Sequence, residues 1–189
     1  MRGLLLPIVL LGALLTGCAG SSSTADAPSA WLKPGTRVVL PSPTLAEPFS
    51  QQQLLTAEVK GQRHTMMVLL NADGQRLTLV GMSPLGIRLF NLVYDEQGIH
   101  NRQFIKLGEL PPAAQVLADI MLSYWPQAQW QARLPAGWRL EERDDRRRLY
   151  DDRGVLISEI RYQTAERRHP VSISQSAFHY RIAIENLEE

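Results

Sequence analysis

Through much of the chain, apolar and polar positions alternate with a period of two, broken by turn residues. AEVKGQRHTMMVLL carries a turn signal at Lys60-Gly61-Gln62, and NADG, Asn71 to Gly74, separates Met66–Leu70 from QRLTLVGM, where Leu77 and Leu79 alternate with Arg76 and Thr78. Successive side chains of a strand point to opposite faces, so these segments predict β-hairpins. A further strand is expected over 87–94, followed by a turn at DEQG, Asp95 to Gly98, and a strand through Ile105. Together they make a meander of about six strands. Within IRLFNLVY, Ile87, Leu89 and Val93 fall on one face and Phe90, Leu92 and Tyr94 on the other, which predicts a sheet covered on both sides.

The period then changes. LPPAAQVLADIMLSYWP opens on Pro111-Pro112, a pair tolerated at a helix start, and stops at Pro126. Between them Val116, Leu117, Ile120, Met121, Tyr124 and Trp125 follow helical spacing, with Gln115, Asp119 and Ser123 recurring on the other side. The pattern predicts one amphipathic helix. Strands are expected again over 138–140, 147–150, 155–162, 171–174 and 180–185, the last with Tyr180, Ile182 and Ile184 alternating. The fold class is therefore mainly β with a helical lid (α+β), a large curved antiparallel sheet with a helix lying across it.

The amino-terminal segment follows neither period. Arg2 precedes an apolar run from Leu4 to Leu15, and a helix needs roughly 20 residues to span a bilayer, so the run is read as a signal-peptide core. It ends on Leu15-Thr16-Gly17-Cys18, with the only cysteine of the chain. The quartet resembles the bacterial lipobox, which implies a diacylglyceryl group on Cys18, cleavage before it and acylation of the new amino terminus. A lone cysteine cannot form an internal disulfide. Two or more acyl chains anchor stably where one binds only marginally. The expected division is a lipoprotein signal peptide over 1–17, the lipidated cysteine and a flexible tether over 18–35, and one domain over 36–189. GSSSTADAPSA, small and polar, would reach about 20 Å on average for about 12 residues. Ala19 follows the cysteine where an aspartate retains enteric lipoproteins in the inner membrane, so the resemblance implies the periplasmic face of the outer membrane.

Charge narrows the partners. The 20 Lys and Arg against 19 Asp and Glu become 19 against 19 once Arg2 leaves with the leader. A neutral domain offers no general electrostatic case for nucleic acid or an acidic membrane. The densest charged run, EERDDRRRLYDDRG, mixes both signs and is read as a solvated hairpin with cross-strand pairs. Catalytic chemistry finds no foothold. GMSPLG places Leu85 where a nucleophile elbow needs its second glycine, and His64, His100, His169 and His179 lack metal-ligand spacing. Asp144-Asp145 and Asp151-Asp152 are paired carboxylates in charged turns, without an expected partner to tune them. No enzyme activity, metal or cofactor is expected.

LTLVGMSPLGIRLFNLVYDEQG resembles the outer-membrane lipoprotein receptor LolB, in which a strand runs into Pro-Leu-Gly, here Pro84, Leu85 and Gly86. LSYWP and the closing order GVLISEIRYQ, then HYRIAIEN, are similar to the same family, so the likeness spans Gln52 to Asn186. The YWP and charged-strand segments also resemble an uncharacterised lipoprotein family encoded beside aryl polyene pathways. The resemblance implies a LolA/LolB-type half-barrel whose apolar concave face is closed by helices and receives acyl chains. The expected function is binding or transfer of lipid or lipidated cargo at the outer membrane, with a periplasmic carrier protein as a candidate partner. Val116, Leu117, Ile120, Met121, Tyr124 and Trp125 then line the cavity as its lid; a plain core helix would show the same stripe. Leu85 corresponds to a loop leucine that touches the membrane, with packing into the core as the other reading. An assembly factor that binds a protein, and a hydrolase, are the competing functions.

Overall fold

The computed structural model describes residues 27–105, 111–164 and 169–187. The chain first makes a hairpin, β1 (Ser29–Lys33) and β2 (Thr36–Val39). The meander follows: β3 (Phe49–Val59), β4 (Gln62–Ala72), β5 (Leu77–Met82), β6 (Arg88–Asp95) and β7 (Gly98–Gln103). Two helices come next, α1 (Ala113–Tyr124) and α2 (Gln127–Gln131). A second meander closes the chain: β8 (Arg139–Arg143), β9 (Arg146–Tyr150), β10 (Leu156–Tyr162), β11 (Pro170–Gln175) and β12 (Tyr180–Leu187).

The two meanders form one antiparallel sheet in the order β7-β6-β5-β4-β3-β12-β11-β10-β9-β8. Its middle is the pairing of β3 with β12, from Tyr180 opposite Val59 to Leu187 opposite Gln52. The chain thus leaves one edge at β7 and must re-enter at the other edge, β8. The connection holds α1, so the topology itself lays the helix across the sheet. The sheet is open, with β7 and β8 as its edges.

Local chemistry sets the hairpins. Lys60 and Gly61 both adopt positive φ (50° and 77°), the pairing a two-residue turn needs to match the twist of β3 and β4. A bulge between Gly81 and Met82 leaves Leu89 as the extra residue of β6, opposite no partner. Its carbonyl instead accepts the backbone N–H of Phe104 at 2.9 Å. The bulge explains how neighbouring Leu89 and Phe90 are both buried. Cover on both faces, expected for this strand, is not observed: Ile87 is 52% exposed and Val93 only half-buried.

The expected tether boundary also moves. Ser29–Lys33, placed in the tether, is strand β1, with Leu32 fully buried and the Lys33 ammonium 2.8 Å from Asp151. Pro34-Gly35, with Gly35 at φ 81°, supplies the turn into β2. The hairpin packs on α1, whose Trp125 indole N–H donates to the Ser42 carbonyl at 2.9 Å.

The charged run forms the β8–β9 hairpin, with Glu142 opposite Arg147 and Glu141 opposite Arg148. Two members depart from the solvated reading: Asp151, expected in a charged turn without a partner to tune it, is buried against Lys33, and Arg147 reaches the end of α1. Arg147 is buried, pairs with Glu142, and donates from Nη1 to the carbonyls of Leu122 (2.6 Å) and Trp125 (2.8 Å). The last turn of α1 carries no basic residue of its own, so this guanidinium satisfies its free carbonyls.

Candidate functional site: an apolar cavity beneath the crossing helix

Between α1 and the sheet lies a cavity of about 740 Å³, within the range of small-molecule sites. Strand register orders its floor into rows. Ile182, Ala57 and His64 lie side by side, then Ile184, Leu55 and Met66, then Asn186, Gln53 and Val68. Apolar residues therefore occupy the middle. At one end an amide cluster closes the row: Gln53 Nε2 donates to Asn186 Oδ1 at 2.8 Å and to the Tyr124 hydroxyl at 2.9 Å. The Tyr124 ring stacks on Phe49 with centroids 4.6 Å apart, and burial raises its hydroxyl pKa. The other end, toward the β3–β4 turn, is polar and exposed, with Lys60, Gln62, Arg63 and His64 at the rim.

The stripe expected to act as a lid divides in two. Val116, Ile120 and Tyr124 line the cavity and are only half-buried. Leu117, Met121 and Trp125 are fully buried and do not line it. At 100° per residue the two sets occupy different sectors of the helix, and the second belongs to the packed core with Leu32 and Leu40. The stripe thus divides into residues that line the cavity and residues that pack the core. The opposite stripe is corrected as well. Gln115, Asp119 and Ser123, expected on a polar outer side, are all buried.

Asp119 lines the cavity and is held from the sheet. The Tyr180 hydroxyl of β12 donates to Oδ2, and Gln175 Nε2 of β11 approaches Oδ1 at 3.5 Å. Burial pushes the Asp119 pKa up to about 6, against the opposing hydrogen bonds from Tyr180 and Gln175. Burial, followed by the Asp119 charge, raises Tyr180 strongly. Ser123 is tied in at the same level, its carbonyl accepting from the Tyr162 hydroxyl at 2.8 Å. These residues were not singled out from the sequence as functional. The signal for Tyr180 was its place at the head of the Tyr180, Ile182, Ile184 alternation.

Phe90 forms part of the wall and lies over Gly81, its cross-strand partner. A methyl group at Gly81 would sit 2.2 Å from the ring. The glycine of the GMSPLG motif therefore serves packing, making room for an aromatic wall.

Leu85 is 87% exposed at the tip of the β5–β6 turn, which excludes packing into the core. Ser83 holds the turn, its hydroxyl accepting from the N–H groups of Leu85 and Ile87, both at 3.2 Å. Ile87, Phe104 and Ile105 are exposed beside it, and the guanidiniums of Arg102 and Arg88 lie 5.0 and 5.9 Å from the Phe104 ring centroid. Cys18 lies outside the described residues, as does the expected signal peptide. Among the described residues, no group of three or more His, Cys, Asp and Glu could hold a metal, and no helix is long and apolar enough to cross a membrane.

Fold and site together define a mainly β protein with an open antiparallel sheet and an apolar cavity beneath a crossing helix. The chain belongs to the family described as "Protein of unknown function (DUF3261)", which matches residues 50–188. No curated protein matches it.

Proposed function

We propose that this protein is an outer-membrane-anchored lipoprotein of LolA/LolB type that binds or transfers lipid or lipidated cargo through its cavity, without covalent catalysis. The observation that carries this reading is the cavity itself: about 740 Å³, with half-buried Leu55, Met66, Val116, Ile120, Ile182 and Ile184 turned toward it. Half-buried apolar side chains facing an unfilled space gain by contact with an acyl chain, at about 25 cal/mol per Å² of apolar surface removed from water. Transfer then exchanges one apolar environment for another, and small affinity differences set its direction.

The exposed cluster supports contact with a membrane. Leu85, Ile87, Phe104 and Ile105 project from the end of the sheet that also carries the β3–β4 turn, since Met82 pairs with Met67 and Phe90 with Gln103. The polar rim of the cavity is at this end. An apolar tip beside Arg88 and Arg102 suits an anionic lipid surface. In this account Cys18 tethers the domain, Leu85 enters the bilayer, and cargo passes between the cavity and the lipid or a periplasmic carrier protein.

Native mass spectrometry of the protein purified from its own host tests the reading. An acyl compound should co-purify with it, and mutation of Ile120 to Trp should displace that compound. A ligand-free protein that binds no added acyl chain would refute it.

A further inference from the structure

One part of the cavity wall runs against the economy of folding. A carboxyl, that of Asp119, is buried on the face of α1 that it shares with Gln115 and Ser123, and it is turned toward the cavity. Around it lie buried polar atoms without a protein partner: Nε2 of Gln115, one helical turn away, Oε1 of Gln175, and Oγ of Ser158. Register puts Ser158, Gln175 and Tyr180 in one cross-strand row, so their side chains share a face. A buried polar group left without a partner destabilises the fold, because it has given up water and gained nothing in return. Such departures concentrate where a site is needed.

The chemistry open to a ligand follows from what is already committed. The single proton of the Tyr180 hydroxyl goes to Asp119 Oδ2, and an amide N–H of Gln175 faces Oδ1. An ionised carboxylate has about four acceptor positions, so acceptor capacity remains; the lining hydroxyls of Tyr180 and Ser123 have committed their protons, and the remaining amide N–H groups belong to Gln175 and Gln115, which do not line the cavity. A plain hydrocarbon leaves that capacity unused. An anionic group would be repelled, whereas a hydroxyl or amide N–H would satisfy it.

We propose that Asp119 and Tyr180 form a polar subsite within the apolar cavity that selects acyl chains carrying a hydrogen-bond donor, a hydroxyl or an amide N–H, near the head. The inference rests on the acyl-binding reading above and adds the class of ligand. Asp119 is its specificity-determining residue, Tyr180 and Gln175 position it, and Gln115 supplies a second hydrogen-bonding group behind it.

The test compares myristic acid, β-hydroxymyristic acid and N-myristoylglycine as competitors of a fluorescent fatty acid on the purified protein and on its Asp119→Leu and Asp119→Asn variants, with melting temperatures recorded for each. The hydroxylated or the amide-bearing chain should bind the native protein about ten-fold or more tighter than myristic acid, on the scale of a hydrogen bond to a charged group. Whichever of the two is preferred identifies the donor. Asp119→Leu should abolish the preference while still binding myristic acid, and Asp119→Asn should retain part of it in a folded protein. Equal affinity for all three chains in the native protein, or an unchanged preference in a folded Asp119→Leu variant, would overturn the proposal while leaving acyl binding intact. Failure of every chain to bind would remove the acyl-binding reading and this inference with it.

Discussion

The Tyr180 hydroxyl donates to Asp119 Oδ2, tying the middle of α1 to the first residue of β12 across 61 positions of sequence. The carboxyl pays for this burial with a pKa raised from 3.8 to about 6. Between those values the folded protein binds a proton that the unfolded chain releases, so this group makes stability rise as pH falls from about 7 to about 4, by about 3 kcal/mol at ~1.4 kcal/mol per pKa unit. Asp119→Asn removes the titration. Its melting temperature should equal or exceed that of the native protein at pH 7.5, and the difference between the two should shrink as pH falls to 4. A difference independent of pH would contradict the burial of an ionisable carboxyl.

Lys33 and Asp151 give the opposite slope. The Lys33 ammonium, with the N–H groups of Val155 and Arg153, lowers the Asp151 pKa to about 2. Stability from this pair is present above about pH 4 and is lost as pH falls toward 2. The same hairpin buries Leu32. Leu32→Ala should therefore cost about 2–5 kcal/mol, the scale of a truncated core leucine, although it precedes the matched segment at residue 50. Urea denaturation measures it.

Gly81→Ala should destabilise by about 1–3 kcal/mol through the overlap with Phe90. Phe90→Leu should relieve part of that cost, so the double variant is expected to be less destabilised than the sum of the singles. Additive effects in a thermal melt would place the glycine's role elsewhere.

Much of the sheet is legible in the sequence because its signals are local. Lys60-Gly61, Asn71 to Gly74 and Asp95 to Gly98 each mark a turn between alternating strands, and Pro112 and Pro126 bracket α1. The β1–β2 hairpin was missed because it is short and adjoins a small, polar stretch that reads as tether. Five-residue α2 is too brief for a helical period, although it buries Trp130. The wall chemistry was hidden for another reason. Gln115, Asp119 and Ser123 repeat as a solvated helix face does, and their partners Tyr162, Gln175 and Tyr180 arrive from strands far along the chain. Arg147 was hidden likewise, as one charge among many until the end of α1 was placed against it.

Leu85→Glu separates exposure from function. The side chain is already in water, so the melting curve should move by no more than about 0.5 kcal/mol equivalent. Delivery of acylated cargo to anionic liposomes should fall, and Arg88→Glu should weaken liposome binding in a salt-dependent way. Liposome binding and transfer unchanged in both variants would remove this turn from the functional surface.

The most direct measurement of the central claim is the affinity of the purified protein for a fluorescent fatty acid, before and after Ile120→Trp. Ile120 is half-buried and faces the cavity, so a larger ring there occupies the space of the ligand. The expected result is saturable binding by the native protein, reduced about ten-fold or more in a variant that melts normally. Unchanged binding in that variant, or none in the native protein, would contradict an acyl-chain site beneath α1.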